Sequence, residues 1–289
     1  TFFFIHSTTS HMIPQIKLED LELSKMICGT NQFIGISHFF HLDIKRWKDP
    51  GRIHRSPLST PYYYFKFRKP EKIAEIMIYL AQEHGINACV SSPRDRIYDA
   101  IQITEKETGE KFHWICTPSN TRITAKGLKA EINMQIEWCR DHGVSVCGPH
   151  RSFSDSKIDF EKEIIDGLPD VMAKVRDCGM VPLLSTHYHQ SISIVEKRDY
   201  DVALIIQPLN PIGFESNAES PEELAKKIQD TKIQILNIKP MGAGRVRYDE
   251  GLPFCLDRIK PNDFLAVGFG DLKFAKQDAK LVEELLTKK

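Results

Sequence analysis

From Lys25 onward one unit recurs along the chain. A short apolar run rich in β-formers is followed by a polar turn, an amphipathic helix, and a Gly or Asp turn into the next run. The strand runs are Met26–Gly29, Ala88–Ser91, His113–Thr117, Ser145–Gly148, Val181–Ser185, Val202–Gln207, Ile233–Ile238 and Phe264–Val267. The helical patterns are Glu71–His84, Asp95–Thr108, Ala125–His142, Glu161–Cys178, Ile192–Lys197, Pro221–Thr231, Leu252–Arg258 and Gln277–Thr287. Several helices end in the same signal, as in Glu83-His84-Gly85, Asp141-His142-Gly143 and Asp177-Cys178-Gly179. Glycine just past a helix adopts the left-handed conformation that stops it. Runs such as Leu204-Ile205-Ile206 are apolar on both faces, as parallel strands covered by helices must be. Eight strands alternating with helices predict an α/β fold, a single (β/α)8 TIM barrel. A doubly wound sheet would want a Gly-rich phosphate turn after its first strand, and Gly29-Thr30-Asn31-Gln32-Phe33 is not one.

Composition narrows the function classes. The 289 residues carry 39 basic and 39 acidic side chains, a net charge of zero. That balance argues against a general nucleic-acid binder and a polybasic membrane protein. No apolar run reaches the roughly 18 residues of a membrane span. Seven cysteines without C-x-x-C pairs exclude a disulfide framework and a zinc ribbon, and fit a reducing cytoplasm. Cys28, Cys89, Cys116 and Cys147 read as small core residues. Residues 1–12 read as a tag-derived segment, with Ser10-His11-Met12 as the junction, and residues 13–289 as the barrel domain.

Barrel enzymes carry their chemistry in the loops after the strands' C-terminal ends. After strand one, Asn31 and His38 precede a long segment, Leu42–Pro70, with eight basic residues against two acidic ones and the run Tyr62-Tyr63-Tyr64-Phe65. It reads as a basic, aromatic lid over an anionic small substrate. Strand three leads to Asn120, strand four to His150 and Arg151, strand five to His187 and His189, and strand six to Asn210. The three histidines would serve as acid, base or metal ligands, for zinc or manganese. His187 and His189 share a face only if the strand runs through both. Strand seven ends in Lys239, a candidate general base or Schiff-base amine, then Gly242, Gly244 and Arg245. With Gly268, Gly270 and Asp271 after strand eight, these glycines would form a phosphate corner.

These strand ends resemble the aldo-keto reductase family. The likeness runs through Leu184–Gln190, Asp201–Pro211 and Ile238–Gly244, with His150 where the family's active-site histidine ends strand four. The family implies an NADP-dependent carbonyl reduction. Strand two ends Val90-Ser91-Ser92-Pro93, without the family's aspartate and tyrosine, and Cys116-Thr117-Pro118 lacks its strand-three lysine. The sequence looks closer to divergent barrels of this kind, through Gly29, Asn31, Phe33, Ser37-His38, Lys239 and Gly244-Arg245. The expectation is therefore a small-molecule enzyme on an aldo-keto-reductase-like barrel, acting on a polar, anionic substrate. His150, His187 and Lys239 would be catalytic. Asn31, His38, Asn120, Arg151, Asn210 and Arg245 would bind substrate. Its reaction would be that of a lyase, isomerase or hydrolase, with an NAD(P)H-dependent oxidoreductase and a non-catalytic binding barrel as alternatives. The cofactor stays open, a divalent metal ahead of NADP.

Overall fold

The computed structural model describes residues 12–36, 59–119 and 131–288. The chain starts with a hairpin that the sequence reading did not foresee, β1 (Gln15–Leu18) and β2 (Leu21–Ser24), paired antiparallel. Its strands are only four residues long, too short for a clear alternation, and Glu19 at the turn has a φ of 51°.

Eight parallel strands then follow in chain order: β3 (Met26–Gly29), β4 (Ala88–Ser91), β5 (His113–Cys116), β6 (Val146–Cys147), β9 (Val181–Ser185), β10 (Leu204–Gln207), β11 (Gln234–Asn237) and β12 (Phe264–Gly268). They close into a barrel, β12 pairing with β3 from Leu265↔Met26 to Gly268↔Gly29. The outer elements are α1 (Ser59–Lys66), α2 (Pro70–His84), α3 (Asp95–Thr108), α4 (Ile132–Asp141), the short α5 (Arg151–Ser154), α6 (Leu168–Asp177), α7 (Gln190–Arg198), α8 (Pro221–Asp230), α9 (Tyr248–Leu256) and α10 (Leu272–Thr287). The expected (β/α)8 barrel is the fold, with most strand limits within two residues of those read from the sequence.

Two apolar cores result from strand alternation. Ile27, Ala88, Ile115, Val146, Leu183, Leu204, Leu236 and Phe264 point inward and fill the barrel. Leu18 and Leu23 of the hairpin join them, so the hairpin plugs the end of the barrel at which the strands begin. The intervening residues, among them Cys28, Cys89, Trp114, Leu184, Ile205 and Ile235, face the helices. Cys116 and Cys147 belong to that outer layer and are fully buried, as expected of core thiols.

Several helices depart from their expected limits. α4 begins at Ile132, the expected start at Ala125 lying outside the described residues. α9 and α10 begin at Tyr248 and Leu272, ahead of the expected Leu252 and Gln277, and α6 begins at Leu168 and not at Glu161. Residues 161–167 precede rather than begin α6. Residues 160–163 turn between β7 (Ile158–Asp159) and β8 (Ile164–Ile165), which pair antiparallel, and residues 166–167 lead into the helix. Gly167, with a φ of 70°, and Pro169 in the first turn start the helix at Leu168. The expected lid, Leu42–Pro70, falls outside the described residues as far as position 58. The rest forms α1 and a turn into Pro70 at the start of α2, and Lys66 of α1 donates to the Gly270 carbonyl at 2.9 Å and pairs with Asp271 at 2.5 Å.

Candidate active site

A cavity of about 300 Å³ opens at the C-terminal ends of the barrel strands. Val90, Ile206, Ile238 and Ala266 give it an apolar floor. Asn31, Gln32, His150, Arg151, His187 and Lys239 supply its polar wall.

His187 reaches this wall by register. Val181 and Leu183 point into the barrel, and the same period of two carries Ser185 and His187 to the mouth. Two anchors hold its backbone. Its N–H donates to Asp155 Oδ1 at 3.2 Å, and its carbonyl accepts from the Asn217 N–H at 3.1 Å. Asp155 also accepts from Thr186 Oγ1 at 2.7 Å, and burial pushes its carboxyl pKa up.

The strand does not continue to His189. The chain turns at Tyr188 and His189 precedes α7, swinging outward so that Nε2 lies 3.1 Å from Glu223 Oε1 on α8. His189 therefore does not meet His150 and His187, and the three-histidine metal set expected from the sequence is not assembled. Among the described residues no group of three or more His, Cys, Asp or Glu side chains is placed to hold a metal ion.

Lys239 enters the cavity by breaking register. Ile238 already faces inward, so an extended Lys239 would face the helices. Its φ of 60° instead turns it inward, and both neighbours line the cavity. Lys239 Nζ lies 2.8 Å from Glu215 Oε2 and 3.4 Å from His187 Nε2. Glu215 Oε2 lies 3.8 Å from His187 Nδ1. Burial holds the His187 pKa down to about 2, helped by the Lys239 and Arg151 charges, so its imidazole is neutral. An ammonium can only donate, so His187 Nε2 accepts from it and Nδ1 carries the proton toward Glu215. Burial also lowers the Lys239 pKa, with Arg151 adding to the shift and Glu215 opposing it.

His150 lines the same cavity while its ring caps α5. Nδ1 accepts from the Ser152 N–H at 3.2 Å, which leaves the proton of the neutral ring on Nε2.

Glu215 and Asp155 were not singled out in the sequence. Glu215 sits in the loop after β10 with a φ of 58°, a position no motif marks. Asn210 is what holds that loop. It is fully buried, its Oδ1 accepts from the Phe214 N–H at 2.8 Å and its Nδ2 donates to the Phe214 carbonyl at 3.0 Å. Asn210 thus positions Glu215 and does not line the cavity, contrary to the substrate-binding role expected of it. Gln32 was also missed. Its Oε1 is buried at the cavity wall with no hydrogen-bond partner among the described residues.

The expected phosphate corner is not built. Arg245 is 4% exposed, its Nη1 donates to the Gly242 carbonyl at 3.1 Å, and its guanidinium lies 3.9 Å from the Phe214 ring centre. It packs behind the cavity and does not line it. Asp271 accepts from the Lys273 N–H at 2.9 Å, capping α10 with a negative charge where an anion would sit. Gly270 faces Tyr63 and Gly242 faces Ile212, while Gly244 and Gly268 do line the cavity. His38 and Asn120 lie outside the described residues.

No protein-family model matches the sequence, and no curated protein matches it significantly. Solved structures do. A Pseudomonas aeruginosa protein whose assignment to the aldo-keto reductases is itself provisional superposes with a TM-score of 0.61 at 14% identity, over 99% of this chain and 100% of that one. A glycerol dehydrogenase from Gluconobacter oxydans gives 0.55 at 13% identity, over 95% of each chain. An aldo-keto reductase of the silkworm Bombyx mori gives 0.54 at 13% identity, over 95% of this chain and 87% of that one. With sequential strand closure, a plugged base and a cavity at the C-terminal rim, the chain is an aldo-keto-reductase-like (β/α)8 barrel.

Proposed function

We propose that the barrel mouth is the active centre of an enzyme that moves protons on a small, polar, anionic substrate, with Lys239 and Glu215 as its acid–base pair. The observation that carries this reading is the contact of Lys239 Nζ with Glu215 at 2.8 Å and with neutral His187 at 3.4 Å on the cavity wall. Burial brings the Lys239 pKa down against the pull of Glu215, and a lysine shifted in that direction gives up its proton more readily than an exposed one. Arg151 on the same wall supplies the charge for an anionic group, and Gln32 Oε1 accepts from a substrate hydroxyl or amine. His150, with its proton on Nε2, is a second donor.

The test is deuterium wash-in from heavy water into the carbon-bound protons of pyruvate, oxaloacetate and 2-oxoglutarate, followed by NMR. The protein should accelerate exchange for one of these acids, and Glu215→Gln should slow it at least about tenfold. No acceleration on any of them would sink the reading.

Carbonyl reduction by a nicotinamide nucleotide is the second reading, favoured by the full-length likeness to aldo-keto reductases. The described residues do not fit the nucleotide's phosphates at the rim of β12, because Asp271 holds that helix end and Arg245 is turned into Phe214. Titration with NADPH followed by its fluorescence separates the two readings.

A further inference from the structure

We propose that Lys239 bonds covalently to an oxo-carboxylate, its Nζ forming an imine with the carbonyl carbon while Arg151 holds the carboxylate. This rests on the acid–base reading above and adds a bond that reading does not require. Three observations converge on Nζ.

The first is placement. Among the described residues lining the cavity Lys239 is the one amine, and it stands over an apolar floor of Val90, Ile206, Ile238 and Ala266. A lysine becomes a nucleophile when an apolar pocket or a neighbouring cation disfavours its ammonium form; here burial does so, with Arg151 adding to it, against the opposing pull of Glu215.

The second is strain. A lysine with a φ of 60° adopts a backbone conformation that costs free energy, and such outliers persist where the surroundings over-determine them. Here the Lys239 carbonyl accepts from the Gly242 N–H at 2.8 Å. Beneath the turn, a Cβ added at Gly251 would stand 2.5 Å from the Pro240 carbonyl oxygen, so α9 leaves the turn no room to relax.

The third is the proton carrier that imine formation needs. Glu215, at 2.8 Å, takes a proton from the ammonium and frees the amine. The nitrogen lone pair attacks the carbonyl carbon, and the C=O π pair moves onto oxygen. Glu215 returns its proton to that oxygen and takes a second one from nitrogen, which leaves a carbinolamine. It then protonates the hydroxyl, water departs, and the nitrogen pair closes the C=N bond. Overall one ammonium and one carbonyl give one protonated imine and one water, with Glu215 unchanged and no electron donor or acceptor required. His187 Nε2, at 3.4 Å, orients Nζ throughout. Arg151 sets the chemical class of the partner, an aldehyde or ketone bearing a carboxylate close to the carbonyl.

The experiment is reductive trapping. The full chain is incubated with pyruvate and cyanoborohydride at about pH 6, where exposed lysines are almost wholly protonated. Intact mass and peptide mapping then locate the adduct. One reduced pyruvyl group on Lys239 is expected, with none in Lys239→Arg, whose melting temperature reports that it folds. Glu215→Gln should slow trapping at least about tenfold. Adducts spread over surface lysines, at equal rates in the native protein and Lys239→Arg, would overturn the proposal. So would deuterium wash-in without any adduct, which would leave the acid–base reading intact. Neither wash-in nor adduct with pyruvate, oxaloacetate or 2-oxoglutarate would overturn both.

Discussion

Acidification should destabilise the fold through His187, and the effect can be isolated. An unfolded histidine titrates near 6.5, whereas burial and the Lys239 and Arg151 charges hold folded His187 down to about 2. Between those values the unfolded chain binds a proton that the folded chain refuses, so stability falls as pH drops below about 6.5. At pH 4.5 the full shift corresponds to roughly 2–3 kcal/mol relative to pH 7.5. The Glu215 carboxylate, 3.8 Å from Nδ1, pulls the His187 pKa up and is already counted in that low value, so the loss should be at least about 2 kcal/mol. For a chain of this length that is about 3 °C in melting temperature. Urea unfolding of the native protein and of His187→Gln at both pH values gives the double difference. Glutamine keeps an acceptor near Nζ and cannot titrate. The variant should therefore lose about 2 kcal/mol less on acidification than the native protein. Equal losses in the two proteins would show that His187 is not held neutral and would remove the basis for its assigned tautomer.

Three further perturbations follow from the packing. Gly148→Ala places a Cβ 1.7 Å from the Leu183 carbonyl oxygen at the seam between β6 and β9, a backbone clash that should cost more than about 4 kcal/mol; soluble expression with native circular dichroism would contradict it. Arg245→Ala removes a buried charge-assisted hydrogen bond and a guanidinium–aromatic contact, about 2–3 kcal/mol together, so its melting temperature should drop by about 4 °C, and an unchanged value would return the residue to the ligand-facing role. Asp271→Ala uncaps α10 and frees Lys66, at a cost of about 1 kcal/mol; hydrogen exchange should quicken at α1, and unaltered protection there would show that this ion pair does not hold α1 to the rim.

The barrel was legible because its strands obey local rules. Ala88–Ser91 and Val181–Ser185 are apolar runs between a glycine stop and a polar turn, and the structure keeps both limits as read. The amphipathic pattern of Asp95–Thr108 fixed that helix equally well. Residues 161–167 misled because charged and apolar side chains alternate there at a spacing that also suits a helix, and only the Gly167-Leu168-Pro169 start signal separates the hairpin from α6. At the site, the strand ends delivered His150, Arg151, His187 and Lys239 to one cavity, since barrel topology dictates where they emerge. Glu215 and Asp155 come from loops, and loop geometry depends on tertiary hydrogen bonds such as those of Asn210 and Thr186, which no spacing encodes. Arg245 looked available because the sequence shows its charge and not the Phe214 ring that covers it.

The plug of Leu18 and Leu23 at the base has a kinetic meaning. With the barrel's other end sealed by apolar side chains, the cavity at the rim is, among the described residues, a cul-de-sac that a ligand enters and leaves on the same side. A molecule still in residence obstructs the next one bodily, whatever its own affinity. Exit then competes with entry at the doorway, and under the proposed acid–base reading turnover is tied to how readily the rim yields rather than to chemistry at Lys239 alone.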